Sequence, residues 1–115
     1  MASSFDIARR YSQIQLLTAP HPQIIRTMHV NCVTLIKRAG TADPVHRRNL
    51  LNHAQNILAE LEGSLKVTDE LSKGLFYLYD YCYCLLDTEN PADHNLVLSV
   101  ISLLRDTFST LLQKP

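Results

Sequence analysis

A chain of 115 residues makes one domain, and folding buries roughly 65% of the surface its unfolded form exposes, enough for a core without disulfides. Eleven Lys and Arg balance eleven Asp and Glu, so no basic excess marks a nucleic-acid or anionic-membrane partner. Three glycines and no tryptophan fit a helical protein with few tight turns, and no uncharged apolar run approaches the ~20 residues that span a bilayer.

In chain order, Ser3-Ser4 suits the cap of a short first helix carrying Phe5, Ile7, Tyr11 and Ile14. MASSFDIARRYSQ has no long apolar stretch, so no secretion signal is expected and the protein is placed in the cytoplasm. TAPHP at 18–22 breaks this segment, and Pro22 suits the first turn of the next helix. That helix is predicted to reach Ala39, with Ile25, Met28, Cys32, Leu35, Ile36 and Ala39 on one face and Gly40 as its stop. Asp43-Pro44 pairs a capping acceptor with proline at the first helical position. The helix it starts should bury Leu50, Leu51, Ala54, Ile57, Leu58, Leu61 and Leu65. Thr68 is predicted to cap the fourth, with Asp69 and Glu70 at the positive end of the helix dipole and Gly74 weakening it by ~1 kcal/mol relative to alanine. Asn90-Pro91 repeats the start signal, and the last core face is Val97, Val100, Ile101, Leu104, Phe108 and Leu111.

Four of the five tyrosines fall in LFYLYDYCYCLL, at Tyr77, Tyr79, Tyr81 and Tyr83. Strict alternation is a strand signal, but Leu71, Leu75, Leu78, Cys82 and Leu86 recur at steps of three and four and share one helical face at about 100° per residue. Tyr77 and Tyr81 then lie on one shoulder of the stripe, and Phe76, Tyr79 and Tyr83 form a row on the other. Tyrosines beside a core seam offer contact area and a hydroxyl to a partner, so Phe76, Tyr79 and Tyr83 are candidate partner-binding residues. The alternative is that neighbouring helices cover both shoulders.

Four amphipathic helices with short connectors predict an all-α antiparallel four-helix bundle with a short extra N-terminal helix. Residues 1–115 form one domain, a cap segment at 1–17 on a bundle at 20–115.

Chemistry-bearing patterns are few. His46 and His53 are two helical turns apart, about 10.5 Å of rise, too far to share a metal. His21, His29 and His94 have no ligand-spaced partner, and no Glu-x-x-His pair supports a di-iron site. Neither His46 nor His53 is followed by the lysine and glycine of a phosphotransfer histidine. No phosphate loop or nucleophile elbow occurs. Cys32 and Cys82 sit on apolar stripes, while Cys84 lies off its stripe. An odd cysteine count argues against a disulfide framework. No catalysis, cofactor or metal is expected.

AQNILAELEGSLKVTDELSKGLFYLYDY at 54–81 resembles the flagellar secretion chaperones of the FliS type, which carry an AxxII/LxxL helix, a turn, and a helix containing NLYxLYDYM. Leu75, Leu78, Tyr79, Asp80 and Tyr81 match the second pattern, with Cys82 in place of methionine. Tyr11 to Ala19 resembles that family's tyrosine, spacer and Thr-Ala-Ser-Pro, and VLSVISLLRDTF its closing helix. Departures are Pro20-His21-Pro22 after Thr18-Ala19, Val30-Asn31-Cys32 for an Asp-Gly-Ala, and Cys84-Leu85 for an arginine pair.

The resemblance implies the same bundle and a cytoplasmic chaperone. Such a protein binds the disordered C-terminal segment of flagellin, prevents premature polymerisation and escorts it to the flagellar export gate. It also implies an N-terminal segment near the binding site, so Ile7, Tyr11 and Ile14 join the candidate partner contacts. The second function class is a helical adaptor that binds another export component or an anti-sigma factor.

Overall fold

The computed structural model describes residues 22–112, with side chains as far as Thr110. It contains α1 (Pro22–Ala39), α2 (Pro44–Ser64), α3 (Glu70–Leu86) and α4 (Pro91–Leu112). Connections at 40–43, 65–69 and 87–90 are too short to cross the bundle, so successive helices run antiparallel. α1 packs against α2 and α4, and α3 packs against the same two, which places α1 and α3 at diagonal corners of a square. The expected extra N-terminal helix and the cap segment 1–17 lie outside the described residues, as does the Leu111 side chain.

Helix ends follow their local chemistry. Gly40 N–H donates to Ile36 O and Lys37 O, closing α1. The Asp43 carboxylate accepts from His46 N–H at 3.0 Å ahead of Pro44. The Asn90 side chain accepts from Ala92 N–H at 3.0 Å. The cap of α3 corrects the expectation of Thr68: Asp69 holds that place. Its carboxylate accepts from Ser72 N–H at 2.8 Å, and Ser72 Oγ accepts from Asp69 N–H at 3.2 Å, a reciprocal box that Thr68 has no matching partner to form.

The core of α2 is Leu51, Ala54, Leu58, Leu61 and Leu65, and that of α4 is Val97, Ile101, Leu104 and Phe108, as expected; Leu50, Ile57 and Val100 are partly buried beside it. On α1 and α3 the buried seam is rotated from the expected one. His29 is buried on α1 while Met28 and Leu35 stay partly exposed. On α3, Ser72, Leu75, Tyr79, Cys82 and Leu86 are buried, and Leu71 and Leu78 are left half-covered. Steps of three and four run through Leu75 and Cys82 by way of either residue 78 or 79. Polar pairing selects Tyr79, because His29 Nε2 lies 2.9 Å from Tyr79 Oη inside the core. Phe108 closes the group, its ring edge-on to His29 at 5.2 Å.

Other polar groups tie the bundle at one end. Arg48, near the start of α2, donates to Leu86 O at 3.0 Å and Thr88 O at 3.2 Å, and pairs with Glu89 at 2.7 Å. Buried Gln55 donates to Tyr83 O at 3.1 Å and to Asp87 at 3.3 Å. Both satisfy carbonyls that the C-terminus of α3 leaves without helical partners.

Burial pushes the His29 imidazole down from its ordinary 6.5 to about 3. The unfolded chain therefore takes up a proton below about pH 6.5 that the folded chain refuses until about pH 3. Stability should be full above that window and fall by ~1.4 kcal/mol per pH unit through it. Urea titrations at several pH values check this, and His29→Gln should remove that part of the slope. A Cβ at Gly74 meets open space, so Gly74→Ala should raise stability by ~0.5–1 kcal/mol in the same measurement.

Candidate partner-binding site

Of the six candidate contacts, the three on α3 do not form one exposed row. Ile7, Tyr11 and Ile14 lie outside the described residues. Tyr79 lies in the core and not on a shoulder open to a partner: it is 0% exposed, its hydroxyl hydrogen-bonded to His29 Nε2 at 2.9 Å and its ring filling the seam. Phe76 is partly buried against the core, and its ring meets Tyr77 edge-on at 6.1 Å. Tyr83 is 37% exposed, less than Tyr77 at 60% or Tyr81 at 54%. The outer face of α3 thus presents Tyr77 and Tyr81 rather than the expected row.

Which neighbour covers each flank of α3 follows from its polar contacts. Gln55 of α2 reaches Tyr83 O and Asp87, and burial followed by the charge of Asp80 raises the Glu62 carboxyl of α2. The flank with Phe76, Asp80 and Tyr83 therefore faces α2. At 100° per residue, Leu71, Leu78 and Leu85 occupy the opposite flank, with Tyr81 at its outer margin, so that flank faces α4. On α4, Arg26 of α1 donates to Ser109 at 2.7 Å, which turns the flank of Leu98 and Ser109 toward α1. The other flank, Leu96, Val100, Leu103 and Thr107, is left for α3.

The result is an apolar seam between α3 and α4. Leu71, Leu78, Leu85 and Val100 form its half-buried floor. Leu96 (45% exposed), Leu103 (54% exposed) and Tyr81 stand at its rims. Among the described residues no side-chain hydrogen bond joins α3 to α4, unlike the α2–α3 and α1–α4 faces. The seam is hidden in the sequence because steps of three and four put Leu71 and Leu78 on the core face, and because Leu96 and Leu103 lie off the main face of α4. The signal was present as a second set of apolar residues at steps of four and three, 96, 100 and 103.

Burial raises the Cys32 and Cys82 thiols to about 12, which holds them protonated, while Cys84 is exposed. Among the described residues no three His, Cys, Asp or Glu side chains come together as a metal-binding group. No described helix is long and apolar enough to cross a membrane.

Compared with known proteins, residues 4–114 match the family model described as flagellar protein FliS. No curated protein and no solved structure matches the chain.

The burial pattern predicts thiol reactivity. In the folded protein one thiol, Cys84, should react rapidly with an aromatic disulfide reagent, and Cys32 and Cys82 only on unfolding. A Cys84→Ser variant that still reacts rapidly when folded would contradict this arrangement.

Proposed function

Because residues 4–114 place the chain in the flagellar protein FliS family, to which it belongs, we propose that it binds the C-terminal segment of flagellin in the cytoplasm. It prevents premature polymerisation there and delivers the segment to the flagellar export apparatus. The family is one of flagellar chaperones; the observation that carries the specific reading is the apolar seam between α3 and α4.

Physically, a disordered segment that later packs in a filament has an apolar face to be covered beforehand. A seam flanked by helices of 17 and 22 residues runs roughly 25 Å at 1.5 Å per residue, the length of four to five turns of an amphipathic helix. Such a helix seats residues at i, i+3, i+4 and i+7 in the groove. Leu78, Leu85 and Val100 supply the floor, and Leu96, Leu103 and Tyr81 clasp the sides. Phe76 and Tyr83 enter as the far edge of a segment that crosses the outer face of α3 past Tyr77. Ile7, Tyr11 and Ile14 enter as contacts from the N-terminal segment.

Calorimetry of the full chain with a C-terminal peptide of flagellin from the same genome should show favourable enthalpy, negative heat-capacity change and opposing entropy, the signature of folding on binding. Leu103→Asp should leave stability within ~0.5 kcal/mol, as for an exposed position, and weaken binding tenfold or more. Tyr11→Ala should cost ~2 kcal/mol or more of affinity if Tyr11 is a direct contact. Equal or tighter binding by that variant would make the N-terminal segment a displaceable cover instead. Wild-type protein that binds no flagellin of its own genome would leave the adaptor reading in its place.

A further inference from the structure

We propose a second binding site at the α1–α2 corner, which takes an acidic peptide segment with Arg38 and His53 holding its carboxylates. An open groove of about 370 Å³ lies there, lined by Arg38 and Thr41 at the end of α1 and by His46, Asn49, Leu50 and His53 along α2. Among the described residues, the Arg38, Asn49 and His53 side chains make no hydrogen bond or ion pair.

Charge separates this corner from the rest of the chain. Between residues 22 and 59 the basic side chains are Arg26, Lys37, Arg38, Arg47 and Arg48, against the single carboxylate of Asp43. From 60 to 93 the balance reverses: Glu60, Glu62, Asp69, Glu70, Asp80, Asp87, Glu89 and Asp93 face only Lys66 and Lys73. Most of the first group is engaged. Arg26 binds Ser109, Arg47 donates to Ala39 O and Ala42 O, and Arg48 holds the end of α3. Asp43 is engaged too, its carboxylate accepting from His46 N–H and meeting the His46 ring. That leaves the Arg38 guanidinium in the groove with no carboxylate to neutralise it.

The shape and donors favour a peptide over a free phosphate. Pro44 has no N–H, His46 N–H is taken by the Asp43 carboxylate, and Arg47 N–H by Asp43 O, so the start of α2 offers no cradle of free amides. The open groove suits a chain passing through. His46, Asn49 or Leu50, and His53 form one stripe over two helical turns, roughly 10.5 Å of rise. Side chains two residues apart on an extended strand share one face about 6.8 Å apart, so one carboxylate reaches Arg38 and a second reaches His53 while the residue between them faces away from the groove. Arg38 receives its carboxylate through two N–H donors of one guanidinium. This corner lies across the bundle from the α3–α4 seam and does not depend on the flagellin reading.

The test is fluorescence anisotropy with a labelled peptide of alternating glutamate and leucine and the full-length chain. Binding should weaken with salt, fall about tenfold in Arg38→Ala and several-fold in His53→Ala, and be unchanged in Lys37→Ala and Leu103→Asp. The glutamine analogue should not bind. In nuclear magnetic resonance spectra, the Asn49 side-chain amide should shift as the glutamate peptide is added; this reads the same site in wild type should either variant fail to fold. Equal binding by the glutamine analogue, wild-type affinity in folded Arg38→Ala, or an unmoved Asn49 amide would each overturn the proposal. So would displacement of the peptide by an equal concentration of inorganic phosphate, which marks a small-anion site, or sedimentation showing that the groove binds a second copy of this chain in place of the peptide.

Discussion

The hydrogen bond between His29 and Tyr79 fixes how the bundle closes. α1 and α3 stand at diagonal corners and do not pack on one another along their length, so only long side chains reach across. Two aromatic rings do so, with Nε2 and Oη 2.9 Å apart and Phe108 beside them. In a low-dielectric interior such a bond is strong, and an unmade one is costly. Any rotation of α1 or α3 that put Met28 or Leu78 inward in their place would strand or expose these polar atoms. The bond therefore sets the rotational phase of two helices out of four, at the cost of one ring nitrogen, His29 Nδ1, buried without a partner.

Once the phase is set, the distribution of polar links decides which face stays open. α2 is tied to α3 through Gln55 and Arg48, and α1 to α4 through Arg26 and Ser109. Among the described residues the α3–α4 face has leucines, valine, a tyrosine edge and Thr107, whose hydroxyl donates within its own helix to Leu103 O. Apolar contact is non-directional, so a third helix can replace part of it without leaving a donor or acceptor unpaired. A hydrogen-bonded face has no such freedom, since each replacement strands a polar group. With Arg47 of α2 donating to Ala39 O of α1, the bundle is closed by directional bonds on three faces and left adaptable on the fourth.

Helix number, helix ends and the core faces of α2 and α4 were legible because they rest on local rules: Asp-Pro and Asn-Pro starts, a glycine stop, and leucines at steps of three and four. The faces of α1 and α3 were not, because hydropathy ranks Met28 above His29 and Leu78 above Tyr79. Only the partner across the core reverses that order, and no local window contains both members of a pair fifty residues apart. The Thr68 cap failed for a smaller reason of the same kind. Threonine and aspartate both cap helices, and the reciprocal Ser72 hydroxyl selects Asp69. The burial of Gln55 is not legible locally either, because a buried amide is unfavourable until the carbonyl of Tyr83 is placed beside it.

The same phase error explains why the candidate site moved. Counting Leu78 as core leaves Phe76 and the tyrosines as the conspicuous side chains of α3, so hydropathy alone points to a contact surface among them. With Tyr79 inside, Leu71, Leu78 and Leu85 become one leucine ladder at heptad spacing on the flank toward α4. This also gives physical content to one departure from the family pattern. Of the Cys84-Leu85 pair that stands where the resemblance places two arginines, Leu85 belongs to that ladder and packs against the core, whereas Cys84 is exposed. A guanidinium at the position of Leu85 would have to reach water past the rim of the seam, whereas leucine carries the apolar floor one further rung toward the end of α3. A segment seated in this seam therefore meets an apolar floor as far as Leu85, and a matching partner presents an apolar residue there instead of a carboxylate.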